Sequence, residues 1–235
     1  MGKPDIIYED NDIIVCYKPA GIATQTRRIG QQDMESFIRN YRAAKNEPPY
    51  VGIVHRLDQP VEGVMVFAKN QKAAASLSRQ IKEHTTEKYY RAASRGHGVS
   101  GADKKEDNHD PAWHTLTDYI SFDKRTNTSK ITSEKDRLAK KAVLQYRILS
   151  NEYNKTEFDI KLLTGRHHQI RLQLANIGYP LIGDTKYGKP ASNNSGTGSK
   201  SGRTGSSVRE QLALCSYKIV FDHPATGERM TFELP

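Results

Sequence analysis

Asp58 closes the cluster His55-Arg56-Leu57-Asp58, a few residues before the apolar run Val64-Met65-Val66-Phe67-Ala68. A carboxylate at the lip of a buried strand, beside an arginine and a histidine, has two uses. It can close an ordinary surface ion pair, or it can stay ionised as a nucleophile or general base. Two more clusters carry comparable residue types: Lys88-Tyr89-Tyr90-Arg91-Ala92, and Gly165-Arg166-His167-His168-Gln169-Ile170-Arg171 leading to Gly183-Asp184. Metal chemistry is not expected. His167 and His168 are adjacent and poorly placed to share one ion, and no Cys/His spacing suits zinc. Cys16 and Cys215 both lie inside apolar runs and read as small core residues rather than a disulfide or a metal pair.

Composition narrows the partner. The 235 residues hold 36 Lys plus Arg against 27 Asp plus Glu, a formal charge of +9. That excess favours a polyanion, because bound lysine and arginine release counterions from phosphates. The N-terminal residues lack the basic-then-apolar pattern of a signal peptide, and no apolar run approaches the roughly 18 residues of a membrane span. A soluble, cytoplasmic protein is expected.

The elements that must position these residues follow from periodicity. Residues 12–17 read as a buried strand, ended by Lys18-Pro19-Ala20-Gly21. Met34, Phe37, Ile38 and Tyr41 give helical spacing over 32–45. Asn70 caps a second helix running to about His84, with Ala73, Ala74, Leu77 and Ile81 on its apolar face. Strands are expected at 87–94, 115–122, 142–149 and 156–163, a loop over 96–112, and a short helix over 166–177. Residues 189–209 are low-complexity and read as a flexible loop insertion. A hairpin closes the chain, with strands at 212–221 and 229–234. Strands outnumber helices without regular alternation. The class is therefore α+β, a single domain spanning 1–235 with a largely antiparallel mixed sheet flanked by helices and loops.

Taken together and in this order, the three clusters resemble the RluA-type RNA pseudouridine synthases. The opening YEDNDIIVCYKPAGIATQ and the closing HPATGE resemble that family's first strand and last hairpin. Members often carry an S4 RNA-binding domain ahead of the first strand; with few residues before Tyr8, none is expected here. Two departures stand out. The family pattern after HRLD has Thr-Ser-Gly where this chain has Val61-Glu62-Gly63, and threonine where His167 stands.

The resemblance implies an isomerase that turns uridine in ribosomal or transfer RNA into pseudouridine, without cofactor or metal. It makes Asp58 the catalytic carboxylate, acting as nucleophile on C1′ or as base at C2′. Arg171 becomes its partner, orienting it and favouring the charged form. Tyr90 becomes the residue stacked on uracil, while Tyr89, on the opposite face of its strand, is assigned to the core. Arg56 is placed to brace the gap left by an extruded base or to hold phosphate. His55, Arg166 and Lys88 join it as RNA-binding candidates, His55 chiefly by hydrogen-bonding its loop. Leu57 and Ile170 are pocket walls. A monomer is expected. Two rivals differ in class: a catalytically silent RNA-binding protein on the same fold, and a hydrolase that uses Asp58 and a histidine to free a base from nucleosides.

Overall fold

The computed structural model describes residues 3–26, 28, 30–95, 110–152, 155–188 and 210–235. Its elements run β1 (Asp5–Glu9), β2 (Ile13–Lys18), α1 (Met34–Ala44), β3 (Gly52–Ile53), β4 (Glu62–Ala68), α2 (Gln71–Lys82), β5 (Glu87–Arg95), β6 (Asp110–Asp123), β7 (Thr128–Thr132), β8 (Lys140–Glu152), β9 (Lys155–Leu162), α3 (Gln169–Asn176), β10 (Leu214–Asp222) and β11 (Arg229–Glu233). The strands form one sheet in the order β1-β2-β4-β10-β5-β9-β8-β6-β7, with β11 on β10 and β3 on β4. Every described pairing between named strands is antiparallel except β4 with β10. No helix among the described residues is long and apolar enough to cross a membrane.

The central strands are apolar on both faces because both faces are covered. Alternation sends Ile14, Cys16, Met65 and Phe67 to one side, with α1 residues Met34 and Ile38 and α3 residues Ile170 and Leu174. It sends Ile13, Val15, Val64 and Val66 to the other, against Ala73 and Leu77 of α2. Each of the two amphipathic helices starts on a side-chain cap: Asp33 accepts from Ser36 N–H, and Asn70 from Ala73 N–H. At the parallel pair the chains approach so closely that only glycine fits. Gly63 has φ +134°, and a Cβ there would lie 2.2 Å from the Ser216 carbonyl oxygen.

Three expectations change. β6 begins at Asp110, so residues 110–112 belong to a strand rather than to the expected loop; the remainder of that loop, 96–109, and the low-complexity stretch 189–209 lie outside the described residues. β7 was not anticipated. Its sequence, Thr-Ser-Lys-Ile-Thr, has little apolar signal and is held by the adjacent β6. The third helix starts only at Gln169, because His168 is in the left-handed region with φ 54° and ψ 25°.

Candidate active site

A cavity of about 850 Å³ opens on the face that carries α3. Asp58, Tyr90 and Arg171 all line it, as do Arg56, His55, Lys88, Arg166, Leu57 and Ile170. The three sequence clusters, spread over more than a hundred residues of chain, thus meet at one place.

The loop carrying Asp58 is clamped from beneath. Thr24 Oγ1 donates to the Leu57 carbonyl and accepts the Leu57 N–H, at 2.9 and 3.1 Å. The fully buried Lys18 ammonium donates to the carbonyls of Pro19, Ile22 and Gln59. It thereby ties the Lys-Pro-Ala-Gly turn to the Asp58 loop. Burial lowers the Lys18 pKa to about 8, against the pull of Asp58 and Glu62. His55 Nε2 accepts the Val66 N–H at 3.1 Å. Burial, with Lys88 adding to it, takes the His55 pKa down to about 3. His55 is therefore a neutral anchor of the loop to β4, the loop hydrogen bond expected of it. Gln59-Pro60 forms a turn, with Val61 N–H bonded to the Asp58 carbonyl, and Val61, the first departing residue, enters the core.

Asp58 is held at arm's length. Its side chain is 30% exposed, with Arg171 Nη1 at 3.6 Å and His168 Nε2 at 3.5 Å from Oδ2. The tight partner of Arg171 is Asp184: Nε and Nη2 each donate across 2.8 Å, a bidentate pair. Burial works against the Arg171 charge, and Asp184 more than offsets it. The expected pairing of Arg171 with Asp58 is thus a longer contact made by the nitrogen that Asp184 leaves spare.

His168 is the residue that sequence reasoning passed over. Its Nδ1 lies 2.9 Å from the Tyr187 hydroxyl, which also accepts the Ser129 N–H at 2.8 Å. The Asp58 carboxylate beside Nε2 can only accept, so the imidazole proton sits on Nε2, and the Tyr187 hydroxyl donates to Nδ1 and holds that tautomer. Burial, reinforced by Arg171, His167 and Lys186, lowers the His168 pKa to about 3. At neutral pH the residue is an uncharged N–H donor. Its left-handed backbone, rare for a residue other than glycine, marked the position, but only in the folded chain.

Tyr90 and Tyr89 do face opposite sides of β5, with their core assignments exchanged. Tyr90, 6% exposed, belongs to the main core and forms part of the cavity wall; burial raises its pKa. Tyr89 is half-buried on the outer face, its hydroxyl on Glu87. Leu57 and Ile170 are buried walls. Arg56 is exposed at the cavity; Arg166 donates through Nε to the Lys141 carbonyl; Lys88 is half-buried, with Nζ near Gly165.

The profile of the RNA pseudouridylate synthases matches residues 12–176. The chain belongs to that family. Among its relatives, an uncharacterized RNA pseudouridine synthase of Aquifex aeolicus is 34% identical over 98% of this chain and 68% of its own length. The ribosomal large subunit pseudouridine synthase D of Neisseria meningitidis serogroup B is 30% identical over 98% of this chain, which spans only 58% of that relative. The solved human RNA pseudouridylate synthase domain containing 4 superposes with a TM-score of 0.72 at 21% identity, covering 98% of this chain and 88% of the other, a likeness of fold. As a pseudouridine synthase the chain is an isomerase acting on RNA, and the basic charge fits that substrate.

Among the described residues one further group brings possible metal ligands together, Asp10, Asp12 and His223, within 4.8 Å of one another. Their atoms are engaged with the protein itself. Asp10 accepts from Tyr8, His223 and two backbone N–H groups, and Asp12 accepts from Asn70.

Proposed function

We propose that this pseudouridine synthase isomerises a specific uridine in structured ribosomal or transfer RNA, with Asp58 as nucleophile or base. The observation that carries the reading is the suspension of Asp58 between Arg171 and His168. Both neighbours face Oδ2 at 3.5–3.6 Å, too far to consume the carboxylate.

In the reaction the N1–C1′ bond breaks, the uracil turns within the pocket, and C5 bonds to C1′. The C5 proton leaves and N1 gains one, so no atom or electron is gained or lost. Asp58 adds to C1′, or removes the C2′ proton to give a glycal. Arg171, fixed by Asp184, supplies a stationary positive charge beside it, and His168 supplies a neutral N–H. Tyr90 offers a buried ring against which a uracil can be held and still rotate. Arg56 occupies the space of the extruded nucleotide or meets its phosphate. Acting as a monomer in the cytoplasm completes the proposal.

The test maps pseudouridine in total RNA from a strain lacking the gene, complemented with wild type or with Asp58→Asn. A uridine modified only by wild type supports the reading and names the substrate. Identical maps, with purified protein also inactive on bulk ribosomal and transfer RNA, would leave RNA binding without turnover.

A further inference from the structure

Three rings run outward from Asp58. His168, which faces the carboxylate, lies against His167 with centroids 3.7 Å apart and planes tilted by 30°, and His167 meets Phe122 at 4.3 Å. Phe122 ends the run; it lines the cavity and is 40% exposed. Arg56, Arg166 and Asn127 line the same cavity. With a volume of about 850 Å³ it lies near the top of the roughly 300–1,000 Å³ typical of small-ligand sites, ample for more than one base.

His167 is held rigidly. Ser129 Oγ lies 2.9 Å from both the His167 carbonyl and its Nδ1. One hydroxyl proton cannot serve two acceptors. Both contacts are hydrogen bonds only when Oγ–H points to the carbonyl and Nδ1–H donates to Oγ. Nε2 is then a bare acceptor, and it has no partner among the described residues. Burial lowers the His167 pKa, with Lys186, Arg171 and Arg56 adding to the effect and Asp58 opposing it, which keeps Nε2 unprotonated at neutral pH. The threonine of the family pattern would offer neither the ring nor the nitrogen.

We propose that Phe122 and His167 form a second nucleobase subsite, which takes an unpaired base next to the reacting uridine on the same strand. The base stacks on the exposed face of Phe122, and the His167 edge accepts a base N–H. The surrounding cations hold the phosphate between the two nucleotides. This subsite rests on the reading of the Asp58 cavity as a uridine site, and gives that site a preference for unstacked loops.

The test is a binding titration at one salt concentration. The probe is an RNA hairpin with a single loop uridine, used intact and with an abasic nucleotide on its 5′ or its 3′ side. Wild type is expected to lose about 5- to 100-fold in affinity at one of the two abasic positions only. Phe122→Ala should erase that difference, Phe122→Tyr should keep it, and His167→Thr should reduce it. No penalty at either position, or an equal loss on all three RNAs in Phe122→Ala, would overturn the proposal. Pseudouridine is measured in the same hairpins and in the mapped RNA. A position-dependent penalty without product leaves the subsite standing while the isomerase reading fails. Product without a penalty removes the subsite alone.

Discussion

Asp10 and Asp58 each sit beside a histidine, and the two pairs are built for opposite ends. Asp10 accepts hydrogen bonds of 2.7–2.9 Å from Asp12 and Ile13 N–H, from the Tyr8 hydroxyl and from His223 Nε2. Its acceptor capacity is spent on knitting β1, β2 and the β10–β11 turn. Asp58 has an imidazole and a guanidinium at 3.5 and 3.6 Å and a cavity in front of it. A saturated carboxylate is structural; one that is oriented but unsaturated is available to a substrate. Net charge and sequence distance do not separate the two; hydrogen-bond length does.

Swapping each carboxylate for its amide gives the largest contrast. Asp58→Asn is expected to reduce product formation by a factor of about 10²–10⁴, at an unchanged melting temperature and with RNA binding retained. Asp10→Asn is expected to lower the melting temperature and leave product formation in place. A variant of Asp58 that fails to fold, or one of Asp10 that folds normally without activity, would reverse the assignment.

Asp184→Ala comes next. It strands the Arg171 charge in a site where that side chain is 5% exposed. Unfolding in denaturant should register about 3–5 kcal/mol, the usual cost of an orphaned buried charge. Turnover should fall with it, because Arg171 is then free to collapse onto Asp58.

Tyr187→Phe is smaller and more selective. It removes the hydroxyl that fixes the His168 tautomer, leaving Asp58 and Arg171 in place. A fall in kcat of about tenfold is expected, equivalent to one hydrogen bond of roughly 1.4 kcal/mol, with KM unchanged. Steady-state kinetics on the mapped RNA decide it; an effect confined to KM would make the Tyr187–His168 hydrogen bond a binding feature.

The pH dependence of stability is the mildest test. His55 and His168 have folded pKa values of about 3, well below the 6.5 of a free imidazole. Between these values the unfolded chain binds the extra protons, so stability present above pH 6.5 declines as pH falls toward 3. Asp10 adds a separate loss further into acid. Burial raises its pKa, but the N–H groups of Ile13 and Asp12 and the Tyr8 hydroxyl outweigh that and hold it below 3.8. Melting temperatures across pH 4–7 should slope upward in wild type and flatten in part in His168→Gln. A slope that His168→Gln leaves intact would assign it elsewhere.

Much of the frame was legible. The Asn70 cap, the apolar stripes of α1 and α2 and the run of β4 are local signals, and locality is what sequence periodicity records. The position of Asp58, Tyr90 and Arg171 around one cavity was legible through the three ordered clusters. What escaped depends on partners distant in the chain. Asp184 claims Arg171 across a turn; Asp58 and Tyr187 set the His168 proton from two different stretches of chain; Lys18 serves three carbonyls on two loops. Tyr89 and Tyr90 show the limit of alternation. Period two states that they part company, and only the packed sheet states which side is wet.

The one parallel pairing between named strands among the described residues has a consequence for the life of the chain. β4 and β5 are near neighbours in sequence, yet β10 lies between them, and Ser216 is the register partner of both Gly63 and Tyr90. Leu214, at the start of β10, lines the cavity. A nascent chain that has emerged only as far as β9 carries Asp58 and Tyr90 without the strand that sets them facing one another. Competence therefore waits on β10. A copy that stops short of β10 lacks the strand that joins the Asp58 side of the cavity to the Tyr90 side.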